Sequence, residues 1–259
     1  MTRFKLKKKF GQHFLKNNKI IDDMVNLKRL ENKNIIEIGP GLGVLTKAIL
    51  KKKPRFLVSI EKDYKLEPYL LPLVKKYDSN FVLKFDDALK INIEEIYKKD
   101  SLILIANLPY NIATTLLINW LQYIKIFDSL IVMVQKEVAD RLTAQISSKF
   151  YGRVSVLMQL YCEIEKKFDV CPENFTPPPK VVSTVIHIIP KKKITEFNYN
   201  NMDLLLKNSF RFRRKKLKNN LLKYYSNVGE MFDIKKFDSN LRAQDISPKN
   251  FIKILNFLD

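Results

Sequence analysis

From Asn34 onward, short apolar runs alternate with amphipathic stretches. Residues 34–38, 56–60, 81–85, 102–106 and 130–134 read as strands, rich in Ile, Leu and Val without a clean period of two. Strands of that kind are covered on both faces, as in the parallel sheet of an α/β fold. Between them, residues 42–53, 91–98 and 112–124 read as helices. The run 181–189 alternates more openly and fits a late antiparallel strand. Pro177-Pro178-Pro179 is a rigid connector, unsuited to a helix or a central strand. Strand signals stop after Pro190 and the three lysines that follow it. Residues 202–225 and 234–258 then read as helical, with Asp233 and Ser247-Pro248 as start signals. The pattern divides the chain near Lys193, into an α/β domain over 1–193 and a small all-α domain over 194–259.

Charge adds a partner to this picture. Lys and Arg total 47 against 27 acidic residues, a formal net charge of +20 over 259 residues. Such an excess favours a polyanion, because neutralised phosphates release counterions. Base composition of the genome is another source of the many lysines. No run approaches the length of a membrane span, and the basic N-terminus leads into no apolar segment of a signal peptide. Cys162 and Cys171 are too few for a disulfide framework or a zinc site. A cytoplasmic protein without metal or membrane contact is expected.

The first chemical signal is Glu37-Ile38-Gly39-Pro40-Gly41-Leu42-Gly43, where a strand gives way to a helix. Glycines there allow a tight turn and a close approach to a ligand, and the helix start offers free N–H groups. The spacing is G-x-G-x-G, not the G-x-G-x-x-G of dinucleotide sites. Glu61 closes the second strand, where an acid accepts from ribose hydroxyls. Asp87 follows the third strand and Asn107 the fourth. Polar residues at successive strand ends converge on one crevice and point to a nucleoside cofactor. Asp86 competes with Asp87 as the acid that contacts adenine.

Asn107-Leu108-Pro109-Tyr110 follows an apolar strand directly. Alone, it is equally a proline turn with a core tyrosine. Its chemical reading is activation of an exocyclic amine such as adenine N6, whose lone pair is delocalised into the ring. The Asn107 side-chain oxygen and the Leu108 carbonyl can accept both N6 hydrogens and turn that lone pair outward, so that positioning and electrostatics supply the catalysis. Tyr110 can stack on a base taken out of its helix.

Further motifs occur in order along the chain. They are Phe10-Gly11-Gln12-His13-Phe14-Leu15, Glu37 to Gly43, Asn107 to Ile112, Gln135-Lys136-Glu137-Val138 with Arg141-Leu142, and Phe175-Thr176-Pro177-Pro178-Pro179-Lys180-Val181. The set resembles the small-subunit ribosomal RNA adenine dimethyltransferases, the KsgA family and its relatives, from Phe10 to about Leu258. The resemblance implies a Rossmann-like class I methyltransferase with a mostly parallel seven-stranded sheet and a small all-α C-terminal domain. It implies S-adenosylmethionine as cofactor, with contacts mapping onto His13, Leu15, Gly39, Glu61, Asp87 and Asn107, and Gly41 in the same turn. Phe175 is expected to border the flipped adenine. The implied reaction places two methyls on each of two adjacent adenosines near the 3′ end of small-subunit rRNA. The partner is then a 30S-type particle, engaged by a monomer with a role in ribosome biogenesis. Many members carry Asn where this chain has His13; both side chains hydrogen-bond.

Two basic clusters are candidates for RNA contact. Arg3, Lys5 and Lys7 to Lys9 form an arm interleaved with Phe4 and Phe10. Arg211, Arg213, Arg214, Lys215, Lys216 and Lys218, with Phe210 and Phe212, are expected on a helix that begins the C-terminal domain, and Lys149 and Arg153 can add to them. His187 reads as structural. Three other readings share features: an erythromycin-resistance type enzyme acting on large-subunit rRNA, a ribosome-assembly or transcription factor without catalysis, and a DNA adenine methyltransferase. The proline triplet and the 241–247 stretch favour the small-subunit family over the first.

Overall fold

A computed structural model describes residues 12–96, 101–234 and 238–258. The chain separates into two compact units. One comprises the chain up to Ala139 together with Glu163–Pro190; the other comprises Asp140–Cys162 together with the chain from Lys191 onward.

The first unit is built on a seven-stranded sheet. Its strands are β2 (Asn34–Ile38), β3 (Phe56–Glu61), β4 (Phe81–Phe85), β5 (Leu102–Asn107), β6 (Phe127–Gln135), β7 (Cys162–Val170) and β9 (Ser183–Pro190), in the order β4-β3-β2-β5-β6-β9-β7. The pairs β4·β3, β3·β2, β2·β5 and β5·β6 are parallel, whereas β6·β9 is antiparallel. All of β2 and nearly all of β5 are buried, which is why these runs lack an alternating pattern. The strand order reverses between β2 and β5, the switch point where a crevice opens at the strand carboxyl ends.

Helices α1 (Asn18–Asn26), α2 (Val44–Lys51), α3 (Glu67–Lys76) and α4 (Ala113–Asn119) flank these strands. The α2 helix buries Leu45, Ala48 and Ile49, the i, i+3, i+4 stripe of an amphipathic helix. Asn17 caps α1 by accepting from the Lys19 and Ile20 amides. A two-residue ladder joins β1 (Phe14–Leu15) to β8 (Phe175–Thr176), pairing Leu15 with Phe175.

In the second unit, α6 (Arg153–Tyr161), α7 (Tyr199–Ser209), α8 (Leu217–Leu221), α9 (Val228–Ile234) and α10 (Pro248–Leu258) pack together, after α5 (Lys136–Leu142) has crossed the unit boundary. Buried Tyr151 donates to the Ile246 carbonyl at 2.8 Å, and Phe210 lies against both Tyr151 and Phe251. The division differs from a single cut near Lys193 because α6 buries Val156, Leu157 and Met158 and packs on α7 and α10.

Several expected elements change form. The span 202–225 is two helices separated by turns at 210–216, where a run of cations interrupts the buried positions. Asp233 lies near the end of α9 and begins no helix among the described residues, whereas Ser247 caps α10 through the Asn250 amide. Within 91–98 the described residues hold a 3₁₀ turn at Ile93–Glu95, and 112–124 is α4 followed by 3₁₀ turns over Trp120–Ile126. The β7 strand escapes sequence reasoning because its Glu and Lys residues read as a solvated stretch, which suits an edge strand.

Candidate active site

The glycine turn closes β2 with three left-handed residues, Gly39, Gly41 and Gly43, at φ of 69°, 59° and 76°. Two of them also have no room for a side chain. A Cβ on Gly41 would lie 2.8 Å from the Phe14 ring, and one on Gly43 would lie 2.8 Å from Leu73. The Gly39 amide donates to the Ile60 carbonyl at 2.9 Å, locking the turn to β3.

Glu61 sits at the end of β3 and is nearly buried. One carboxylate oxygen accepts from the Gly41 amide at 3.2 Å, the other from the Asp63 amide at 2.8 Å. Burial pushes its pKa up, against the pull of those amides. Asp87 follows β4 and accepts from Lys62 at 2.6 Å and from the Leu89 amide at 3.1 Å. The Lys62 ammonium holds the Asp87 carboxyl below its ordinary range. Asp86 accepts from the Asp87 amide at 2.6 Å.

Register brings Ile38 of β2 beside Ala106 of β5, so the glycine turn and the Asn107 loop leave the sheet side by side. The Asn107 side-chain nitrogen donates to the His13 carbonyl at 2.9 Å. That bond commits the nitrogen end of the amide and leaves Oδ1 as an acceptor. The Leu108 amide donates to the Met133 carbonyl at 3.1 Å, and the Pro109 carbonyl accepts from Ile112 and Ala113, which closes the turn into α4. Tyr110 is hydrogen-bonded through its hydroxyl to Ser183 at 2.5 Å, and its ring stacks on His13 with centroids 5.4 Å apart. His13 in turn bonds the Pro177 carbonyl through Nδ1 at 2.8 Å.

These residues line one cavity of about 210 Å³: His13, Leu15, Gly39, Gly41, Glu61, Asp86, Asp87, Asn107, Leu108, Pro109 and Tyr110 all border it. Phe175 does not. It is 1% exposed, paired with Leu15 and packed in the core with Ile21, Met24 and Val185. The cavity suits a nucleoside cofactor on its own features. Its turn has no room for a Cβ at Gly41 or Gly43, it has an apolar wall from Leu15, Ile38 and Leu66, and carboxylates stand at the ends of β3 and β4.

Sequence reasoning assigned no role to Glu37, Ser183 or Lys62. Glu37 lies inside a quoted motif yet is fully buried beneath the turn, where Thr46 and Ser59 donate to one oxygen at 2.8 and 2.5 Å. Its other oxygen has no partner among the described residues. Burial raises its pKa to about 7, opposed by the two hydroxyls and reinforced by Glu61. Ser183 reaches Tyr110 across a long sequence separation that no local pattern carries.

In the second unit, Arg211, Arg213, Arg214, Lys215 and Lys216 are all exposed, on the turn between α7 and α8 and not on a helix. Phe212 is 50% exposed, with Arg211 and Lys215 over its ring at 5.5 and 4.7 Å. Arg213 donates to the Lys149 carbonyl at 2.9 Å, and Lys216 to Asn240 at 2.7 Å. Arg153 is paired with Asp203. His187 is nearly buried on β9 and burial lowers its pKa. The N-terminal basic arm lies outside the described residues. Among the described residues there is no cluster of His, Cys, Asp and Glu able to hold a metal, and no helix long and apolar enough to cross a membrane.

Comparison with known proteins gives a consistent picture. Residues 3–259 match the family model described as ribosomal RNA adenine dimethylase. Ribosomal RNA small subunit methyltransferase A of Ehrlichia chaffeensis is 40% identical over 262 aligned residues, covering 100% of this chain and 99% of that protein. The protein of the same name from Ehrlichia ruminantium is 42% identical, covering 96% of each. Among solved structures, a dimethyladenosine transferase from Plasmodium falciparum superposes with a TM-score of 0.81 at 25% identity, over 95% of this chain and 97% of that one. The 23S rRNA methyltransferase ErmE gives a TM-score of 0.71 at 20% identity, over 95% and 99%, a likeness of fold alone.

Proposed function

Because the chain belongs to the ribosomal RNA adenine dimethylase family, we propose that it dimethylates the N6 amines of two adjacent adenosines near the 3′ end of small-subunit rRNA. The observation that carries the chemistry is the orientation of Asn107. With its nitrogen held by the His13 carbonyl, its oxygen is the end available to the target. That oxygen and the Leu108 carbonyl accept the two N6 hydrogens in the first transfer and share the one that remains in the second, which turns the lone pair out of the purine plane; the proton displaced at each transfer passes to solvent. S-adenosylmethionine, when bound, supplies an electrophilic methyl group. Gly39 and Gly41 give its site close backbone approach, Glu61 accepts from ribose hydroxyls, and Asp87 accepts from the adenine amine, with His13 and Leu15 closing the opposite wall. No strong general base is needed, since orientation and dipoles supply the rate. Tyr110 offers a ring face to the extruded base.

The substrate is a 30S-type particle, bound by a monomer in the cytoplasm. Arg211, Arg213, Arg214, Lys215 and Lys216 meet its phosphates, and the net charge of +20 supports that reading. The test is Asn107→Ala, assayed on small subunits from cells lacking the endogenous activity. Methyl transfer is expected to be abolished while particle affinity stays within about threefold, well short of the loss that follows removal of a catalytic group. Retained turnover removes Asn107 from the mechanism.

A further inference from the structure

Tyr110 stands on a loop, beyond the last residue of β5 and before α4, where no strand or helix pairing fixes its ring. A stacking platform is useful only if its plane is set before the base arrives, since freezing a mobile ring costs entropy at that moment. Two side chains far away in sequence supply the constraint. The Tyr110 hydroxyl is hydrogen-bonded to Ser183 at 2.5 Å. Ser183 is fully buried at the start of β9, where it pairs opposite Gln135 of β6, so the tether runs to the sheet itself. The ring is stacked on His13 at an interplanar angle of 24°. The imidazole is itself fixed, because Nδ1 meets the Pro177 carbonyl, which can only accept. With one face taken by His13, a single face of Tyr110 remains for a base. Burial raises the Tyr110 pKa, and its hydroxyl is committed to Ser183, so the phenol serves as an anchor and not as an acid or base.

We propose that Ser183 is a positioning residue for the target base: with His13 behind the ring, its bond to the Tyr110 hydroxyl presets the plane on which the adenine stacks beside the Asn107 oxygen. This rests on the base-amine methyl-transfer reading given above. Ser183 does not border the cavity, whereas Tyr110 and His13 do, so cofactor affinity is measured beside turnover to separate a moved stacking plane from a damaged pocket.

A double-mutant cycle on the full chain tests the tether. Ser183→Ala and Tyr110→Phe each remove one end of the same bond. With small subunits as substrate and saturating S-adenosylmethionine, each is expected to lower kcat/KM for the particle by about tenfold, the order of loss that a misplaced reacting group produces. The double mutant is expected to be no worse than either single one, because both changes delete one interaction. Calorimetric affinity for S-adenosylmethionine stays within about twofold in all three, below the tenfold expected of a damaged cofactor site. Additive losses, unchanged turnover, or a loss carried by cofactor affinity each overturn the proposal. A second readout does not depend on turnover. The chain has two histidines, and His13, its ring stacked on Tyr110 at 5.4 Å, is expected to show a ring-current shift in its ring-proton resonance. Ser183→Ala is expected to move that resonance in the direction seen in Tyr110→Leu; an unmoved signal contradicts the tether. A wild-type protein that transfers no methyl to small subunits refutes the parent reading instead, and the resonance still decides whether Ser183 holds Tyr110.

Discussion

Replacing Glu37 with glutamine is expected to flatten the pH dependence of folding stability. In the folded chain this carboxyl is fully buried, with two hydroxyl donors on one oxygen and no described partner for the other, and its pKa stands at about 7 in place of 4.5. Below pH 4.5 both folded and unfolded chains carry the proton, and the stabilisation of the neutral form is fully present. Between 4.5 and about 7 the unfolded chain has released the proton while the folded chain retains it, so stability falls as pH rises. Above about 7 both are ionised and the loss is complete. At about 1.4 kcal/mol for each tenfold, that separation corresponds to about 3 kcal/mol. Glutamine reproduces the shape and neutrality of the protonated acid. The difference in stability between Glu37→Gln and wild type should therefore grow by about 3 kcal/mol in favour of the variant from pH 4.5 to 8. Urea unfolding followed by the fluorescence of Trp120, the single tryptophan, buried beyond β5 in the same unit, reads this directly. Titrating groups other than Glu61, which is coupled to Glu37, are common to both proteins and cancel. Parallel curves across the range would refute a buried, proton-holding Glu37.

Gly41→Ala combines a left-handed φ of 59° with a Cβ placed 2.8 Å from the Phe14 ring. The conformation alone costs about 1–2 kcal/mol, and cofactor affinity measured by calorimetry is expected to fall by about tenfold or more. Affinity within twofold of wild type would show that the turn tolerates a side chain. Neutralising Arg213, Arg214 and Lys215 to glutamine is expected to weaken particle binding and reduce the slope of log affinity against log salt by about 0.7–0.9 for each phosphate no longer neutralised. An unchanged slope would make the cluster a solvated face.

Most of the sheet was legible because its strands are short and apolar: 34–38 matches β2, buried throughout, and 81–85 matches β4, an apolar edge strand, residue for residue. The other edge was not, since β7 carries Glu165, Lys166 and Lys167 on a strand open to solvent. The grouping of the glycine turn, Glu61, Asp87 and Asn107 around one cavity was legible from local sequence. Glycines, an acid and an asparagine at strand ends carry their positions in local sequence. Phe175 shows the limit of a motif: its place before the prolines is readable, but its burial against Leu15 depends on a ladder between segments far apart in the chain. Ser183 and the His13 carbonyl hold Tyr110 and Asn107 through bonds of the same long-range kind. The basic run at 211–216 was expected on a helix; its turn conformation follows from the loss of buried positions between Ser209 and Leu217, which charge counting does not register.

The proposed reaction occurs at defined atoms of one RNA, and mass spectrometry of the 3′-terminal rRNA fragment locates them. Small subunits from cells lacking the endogenous activity are incubated with the full chain and isotopically labelled S-adenosylmethionine. Two labelled methyl groups on N6 of each of two adjacent adenosines are expected. Label confined to large-subunit rRNA, to DNA, or to any other atom would contradict the account.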